Sequence, residues 1–495
     1  MIGLSWENAK SYKTDILVVP VCEDSEIHSN RSVAALIKKI GHYREFRGEK
    51  NQTLLLYKED GFSAPRVLLA GMGKYENFDL EALRQVCGRA VKRVIGMKIS
   101  SMALMMPSPD KTHLENHELM TAMAEGTYLG NHIYDRYKSD KKLKPLKEAV
   151  ILMRKADAHE MADLPSKIET ICNGTILARE WVNQPSNELT PEEFVKSIAN
   201  DAEKESLKVK VMDEKEMKKK KFNAVLAVAQ GSDNPPRMIV LEHRPKGAKK
   251  TVVIAGKGVC FDSGGLNVKT GNFMDGMKRD MAGGAVAAAA VITAARLNLN
   301  VNIVAIIPAV ENMPSGRAIK PGDIIKTYAG KTVEIGNTDA EGRLILADAM
   351  AYGVKTYKPD LLMDIATLTG ACVVALGEMI AGLFSSDDRI ASEMTVSGEK
   401  THERCWRLPL PKDYKKFIRS DFADMGNISM SRGGGAITAA LFLSEFANPK
   451  IPWTHLDIAG PSYLKKPSAY CPAGATGFGV RLLIDFLEKI AQKKD

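Results

Sequence analysis

The run TVVIAGKGVCFDSGGLNVK, residues 251–269, opens on an apolar stretch of β-forming residues and then sets Lys257, Asp262 and Lys269 among glycines. That is the pattern of a buried strand ending in a polar loop, with charged side chains gathered at the strand's carboxyl end. Just downstream, MKRDMAGGAVAAAA (277–290) places Asp280 ahead of a run of small residues. The run reads as a tightly packed helix whose amino end favours a nearby carboxylate. Working outward, strand-like runs at 208–212, 224–229, 238–243, 251–255, 302–308 and 361–365 alternate with helical patterns. Residues 190–193, Thr-Pro-Glu-Glu, supply a cap, a proline at the first helical position and a carboxylate three residues after the cap. The expected fold class is α/β, its larger part a central mixed sheet flanked by helices on both faces.

Upstream, apolar runs at 15–21, 53–57, 66–71, 101–106 and 149–153 alternate with helical patterns at 80–94 and 118–137. They predict a smaller α/β layer domain. A chain of 495 residues exceeds what one core usually serves. With residues 156–165 as the exit from the first layer, the expected domains are 1–160 and 161–495. The composition, 45% hydrophobic and 26% charged, is that of a globular protein rather than a disordered one. No basic segment followed by an apolar one opens the chain, and no apolar stretch is long and charge-free enough to span a bilayer, so a cytoplasmic location without membrane contact is expected. Seven cysteines with no CxxC pair fit reduced thiols. The net charge of +9 is modest for this length, and its densest run, residues 218–221, reads as the exposed end of a helix. It is the slender support for an alternative DNA-binding or architectural role, since no nucleic-acid motif accompanies it.

The third chemical piece is EIGNTDAEGRLILADAM (334–350), where Asp339, Glu341 and Arg343 stand two apart and would share a face if the segment were extended. Asp262, Asp280, Asp339 and Glu341 bring four negative charges, costly to gather unless cations neutralise them. Two divalent ions close that balance and leave Lys269 and Arg343 to meet charge developing on a reacting oxygen. Lys257 has the position of a neutral amine ligand, which requires a strongly lowered pKa. All nine histidines fall outside residues 244–401, so neither an HExxH zinc site nor a Ser-His-Asp triad can come from this block.

At these residues the sequence resembles the leucyl aminopeptidase, or cytosol aminopeptidase, family of two-metal exopeptidases. NTDAEGRL (337–344) and GKGVCFDSGG (256–265) carry the resemblance, with echoes in VNQPSNELTP (182–191), DIATLTGA (364–371) and WTHLDIAGP (453–461). It extends over roughly 178–487, while the first domain is similar to a macro-type module. The resemblance implies that Lys257, Asp262, Asp280, Asp339 and Glu341 hold two metals, with Asp262 and Glu341 bridging. It implies Zn or Mn, with Co and Mg admitted by the same donors. Lys269 would polarise the scissile carbonyl, and Arg343 would hold a bicarbonate ion beside Leu368. Met277, Thr367 and Gly370 would line the pocket for the first substrate side chain. The implied activity is release of N-terminal Leu and other apolar residues from peptides by a metal-bridged hydroxide, in a homohexamer. Departures occur at 267–273, which lacks the usual proline and small residues, and at Arg279, where an aromatic or aliphatic residue is common.

Overall fold

Alternation of buried strands with amphipathic helices builds the first unit, Met1–Asn173 with Lys465–Ala473, of a computed structural model that describes residues 2–41, 45–431 and 433–492. Its elements are β1 (Ile2–Ser5), β2 (Leu17–Cys22), α1 (Arg31–Ile40), β3 (Thr53–Tyr57), β4 (Arg66–Gly73), α2 (Leu80–Gly96), β5 (Ser101–Met105), α3 (Asn116–Gly130), β6 (Glu148–Leu152) and α4 (Lys155–Glu160). The sheet runs β1-β6-β5-β2-β4-β3, parallel except for β3. Strand β2 is buried along its whole length, as expected of a strand covered on both faces. Helix α3 stops seven residues before the expected 137, because the Asn131 amide turns the chain toward Leu146, bonding its N–H at 2.7 Å and its carbonyl at 3.2 Å. The short β1 and α1 lie outside the expected set, although Val33, Leu36 and Ile40 give α1 a buried face at helical spacing.

After α5 (Leu164–Asn183) the second unit, Gly174–Leu464 with Gly474–Asp495, contains α6 (Pro191–Glu203), β7 (Lys208–Met212), α7 (Glu214–Lys220), α8 (Asn223–Ala229), β8 (Arg237–His243), β9 (Thr251–Gly256), β10 (Gly258–Asp262), α9 (Ala282–Arg296) and β11 (Asn302–Asn312). Beyond a small sheet of β12 (Ile324–Lys326), β13 (Thr332–Glu334) and β17 (Met425–Gly426) come α10 (Glu341–Tyr357), β14 (Leu361–Ala366), α11 (Gly370–Leu376), β15 (Ala381–Ser385), α12 (Asp388–Thr401), β16 (Cys405–Arg407) and β18 (Trp453–Asp457). The nine-stranded sheet has the order β16-β15-β18-β14-β9-β11-β8-β7, with β10 also paired to β11. Its centre, β18-β14-β9-β11, is parallel; β8 and β15 join it antiparallel on either side, β7 pairs antiparallel with β8, and β16 pairs parallel with β15. This is the mixed sheet that the alternation of strands and helices predicts.

Helices α9 and α10 cover opposite faces of that centre. Gly256 and Ile307 meet Gly284 of α9, whereas Val253 and Ile306 meet Gly353 of α10, an alternation that the two-residue period of a strand requires. The small residues of α9 permit unusually close approach: a Cβ on Gly283 would lie 2.1 Å from the carbonyl oxygen of Ile365.

One strand expectation is overturned. Residues 224–229 are helical, within α8, because Asp348 on α10 caps them from a distance, accepting bonds from Ala224 N at 2.9 Å and Val225 N at 3.2 Å. The basic run 218–221 closes α7, where Lys218 pairs with Glu214 at 2.5 Å and Lys220 lies 3.9 Å from Glu216. Among the described residues, no helix is long and apolar enough to cross a membrane.

Candidate metal centre

The parallel strands β9, β14, β18 and β11 all end at one edge of the sheet, and the functional side chains sit at those ends. Lys257 follows β9, Asp262 closes β10, Asn312 closes β11, Thr367 follows β14 and Asp457 closes β18. In open α/β sheets this carboxyl edge is where ligands bind. Asp280 arrives from the turn before α9, and Glu341 and Arg343 lie in the first turn of α10. The expected extended 339–343 segment is therefore corrected: Asp339 stands in the loop, and helical geometry brings Glu341 and Arg343 in from the helix start.

Asp262, Asp280 and Glu341 are buried, and one oxygen from each lies within 4.8 Å of the others. Lys257 Nζ contacts Asp280 Oδ2 at 2.7 Å and Glu341 Oε1 at 2.8 Å, and donates to the Thr367 carbonyl at 2.9 Å. Its ammonium packs so closely on α10 that a Cβ at Gly342 would meet Lys257 Cε at 2.6 Å. Lys269 Nζ bridges Asp262 Oδ2 at 2.7 Å and Asp339 Oδ1 at 2.5 Å, which ties Asp339 to the other three carboxylates.

Surrounding hydrogen bonds fix this arrangement. Asp262 Oδ1 accepts from Gly264 N and from Asn312 Nδ2, each at 2.9 Å, and Asn312 Nδ2 also reaches Thr338 O at 3.0 Å. Thr338 Oγ1 donates to Gly264 O at 2.6 Å and its N–H to Asn267 Oδ1 at 2.8 Å, joining the two acid-bearing loops. Gly264 has φ +89°, a left-handed conformation that leaves the turn open to Asp339, whose Oδ1 would be 3.1 Å from a Cβ there. Thr367 Oγ1 donates to Asp280 Oδ1 at 2.7 Å. Arg343 Nη1 donates to Asn427 O at 2.7 Å, while its buried Nε has no acceptor among the described residues. Of the other expected residues, Met277 and Leu368 are half-buried and Gly370 is exposed at the start of α11 with open space beside it.

Two ammoniums face four carboxylates, so negative charge is in surplus. Burial pushes Asp280 well above the usual carboxylate range, an effect that Asp262 and Glu341 reinforce and Lys257 opposes. Asp339 is raised for the same reasons, burial first. Burial works to lower Lys257, but Asp280, Glu341 and Asp262 outweigh it and hold the amine protonated. Among the described residues, Asp280 Oδ2 and Asp339 Oδ1 are met only by these ammoniums. Hard oxygen donors with lone pairs to spare and excess negative charge fit divalent cations.

Sequence reasoning missed Asn312, Asn427 and Asp457. The available signal was positional: Asn312 and Asp457 each end an apolar strand run. Asn427 carries none, since it joins the site through Gly336 N, Asn337 O and Arg343 from a remote loop.

Residues 176–484 match the family model described as "Cytosol aminopeptidase family, catalytic domain", and residues 18–141 match that family's N-terminal domain. A "Probable cytosol aminopeptidase" of Protochlamydia amoebophila is 39% identical over 98% of each chain, and one from Geobacter sp. (strain M21) is 39% identical over 99% of each. Among solved structures, a mutant of tomato leucine aminopeptidase has a TM-score of 0.87 at 31% identity, covering 99% of this chain and 96% of its own. The bottromycin maturation enzyme BotP in complex with Mn gives 0.87 at 32%, covering 97% and 100%.

Proposed function

The chain belongs to the cytosol aminopeptidase family and is a peptide hydrolase, and from that premise we propose that it releases N-terminal residues, Leu and other apolar ones foremost, with two divalent cations. The observation that carries the proposal is the buried triad of oxygens from Asp262, Asp280 and Glu341, with Asp339 tied to it through Lys269. Lys257, Asp262, Asp280, Asp339 and Glu341 would hold the ions, Zn or Mn, with Co and Mg compatible with the same donors. When bound, such ions lower the pKa of water and polarise a carbonyl. By the family resemblance, Asp262 and Glu341 would be the carboxylates shared between the two ions.

The remaining chemistry belongs to the chain. Lys269, which pairs with Asp262 and Asp339, would direct its ammonium at the scissile carbonyl oxygen and stabilise charge that grows there. Lys257 would serve as the amine ligand only after giving up the proton that Asp280, Glu341 and Asp262 hold on it. Arg343 stays cationic, although burial pulls it down to about 10 against the pull of Glu341 and Asp457. Its Nε–H, which has no acceptor among the described residues, would meet bicarbonate beside Leu368, as the resemblance implies, and that ion would pass a proton to the leaving amine. Met277, Thr367 and Gly370 would border the first substrate side chain. The same proposal includes a homohexamer in the cytoplasm, consistent with the family.

The test is hydrolysis of Leu-amide, Cys-Gly and acetyl-Leu-amide by metal-stripped and metal-restored protein. Metal should restore the first two reactions, Leu-amide fastest, and acetylation of the α-amine should abolish turnover. Cleavage of the acetylated substrate, or activity in the stripped protein, would refute the reading.

A further inference from the structure

At the opposite edge of the nine-stranded sheet lies a cavity of about 740 Å³ that the reaction above leaves unused. Trp453 opens β18, and Ser385 closes β15, which runs antiparallel to it, so both line the cavity at the end of the sheet remote from Asp457. The five residues of β18 put roughly 13 Å between this floor and the carboxyl edge that carries the metal centre. One wall is the segment 407–415; the other is the end of α13 (Gly435–Ser444) with the turn that follows it. The size falls within the range of about 300–1,000 Å³ in which proteins hold small molecules.

The floor is apolar. Leu441 and Trp453 are buried, and the Trp453 indole N–H is already satisfied inside the sheet, donating to Asp364 Oδ2 at 2.8 Å. Leu408, Leu410 and Ile451 continue that surface. The lining hydroxyls are spent on the chain's own backbone: Ser385 Oγ donates to Trp453 O at 3.1 Å, Ser386 Oγ accepts from Trp453 N at 2.9 Å, and Ser444 Oγ donates to Leu441 O at 2.6 Å. Every charged side chain in the lining is basic. Arg407 and Lys415 find partners outside it, Asp388 at 2.5 Å and Glu445 respectively. Lys412 meets no carboxylate among the described residues, and the Asn448 side chain uses only its oxygen, which accepts from Lys450 N at 2.9 Å.

The side-chain groups left over are thus donors, an ammonium and an amide N–H, set beside an apolar floor. Their complement is an apolar molecule with a carboxylate at one end, which accepts from both. Apolar patches interrupted by fixed hydroxyls suit the alternating side chains and amides of a peptide better than an unbroken hydrocarbon tail, and Ser444 Oγ keeps a lone pair for a peptide N–H. We propose that this cavity binds the C-terminal residues of short apolar peptides, their side chains on Leu441 and Trp453 and their free carboxylate on Lys412 and Asn448. The inference needs no peptidase activity and stands apart from the metal centre.

Isothermal titration of the metal-loaded, full-length protein with N-acetyl-Leu-Leu tests it. The blocked amine keeps this probe from being a substrate of the proposed peptidase, and its carboxylate is free. Its C-terminal amide should bind about tenfold more weakly, the loss expected of one charge-assisted hydrogen bond. Lys412→Glu, at an exposed position, should weaken the acid by about tenfold or more and leave the amide within about twofold. Ser444→Phe, which fills the cavity from a half-buried position, should abolish binding of both. Neither variant should change Leu-amide hydrolysis, because neither residue borders the metal centre. Equal affinity for acid and amide overturns the proposal, as does acid binding that neither variant weakens, which would place the probe at the metal centre. Octanoate bound as tightly as the peptide, and weakened by Lys412→Glu, would make this a fatty-acid site and overturn the peptide assignment. Self-association that Ser444→Phe abolishes, with no uptake of the peptide, would give the cavity to a second copy of the chain. Lys412-dependent binding by a protein that hydrolyses no peptide contradicts the proposed function and leaves the cavity's assignment standing.

Discussion

The two units bury ionisable side chains on opposite terms. In the first, Arg84 of α2 donates to Glu125 of α3 at 2.5 Å and lies 3.6 Å from Glu81, whose oxygens also accept from the Tyr470 hydroxyl at 3.1 Å. In the second, four carboxylates share two lysines, so acid outnumbers the ammoniums that pair with it among the described residues. The difference separates a buried polar group that holds helices together from one that waits for a ligand. Matched charge is complete within the chain, whereas surplus charge of one sign needs something from outside it.

Substitutions can break that comparison, beginning with the largest effect. Glu341→Ala should remove metal binding and peptidase activity together, read by metal analysis and Leu-amide hydrolysis on the same sample; activity with an empty centre would undo the contrast. Arg84→Ala removes the arginine shared by two buried glutamates and should cost roughly 3–5 kcal/mol in denaturant unfolding, with no change in metal content of the folded protein. Lys269→Ala should retain the metals and lose about 10²–10³-fold in kcat, since its ammonium is needed only where charge develops. Asn312→Ala, which releases Asp262 from one donor, should weaken metal affinity by about 10–100-fold, measured by competition with a chelator. The smallest effect belongs to His28 of the first unit, buried with Nε2 2.7 Å from Pro20 O. Burial lowers its pKa to about 4, below the unfolded value of about 6.5. The unfolded chain therefore binds the extra proton first, and stability should fall as pH drops from about 6.5 to about 4. Melting curves of His28→Gln, which cannot charge, should fall less over that window; equal falls would contradict the assignment.

The same contrast explains what the sequence disclosed. Strong local patterns, such as the apolar strand entering Lys257 and the small-residue run after Asp280, mapped onto β9 and α9 because burial on both faces leaves few alternatives. The acidic residues were legible as a set because their number outran any internal partner. What escaped was held by distant contacts. Residues 224–229 read as a strand until Asp348, more than a hundred residues away, is seen capping them as a helix. The 339–343 segment reads as extended because a spacing of two is a strand period and Ala340, which precedes the helix, offers no capping side chain to announce its start at Glu341. Asp364 and His455 belong to separate strands, and only the β14–β18 register makes them partners. Nothing in residues 465–473 signals that they join the first unit.

The central claim is that surplus buried acid marks a two-cation site. A crystal structure of the protein soaked with Mn(II), with anomalous scattering locating the metal, tests it most directly. Two ions should appear among Lys257, Asp262, Asp280, Asp339 and Glu341, with Lys269 drawn away from Asp262 and Asp339. Persistence of the lysine–carboxylate pairs at saturating Mn(II), with no anomalous peak between them, would contradict it.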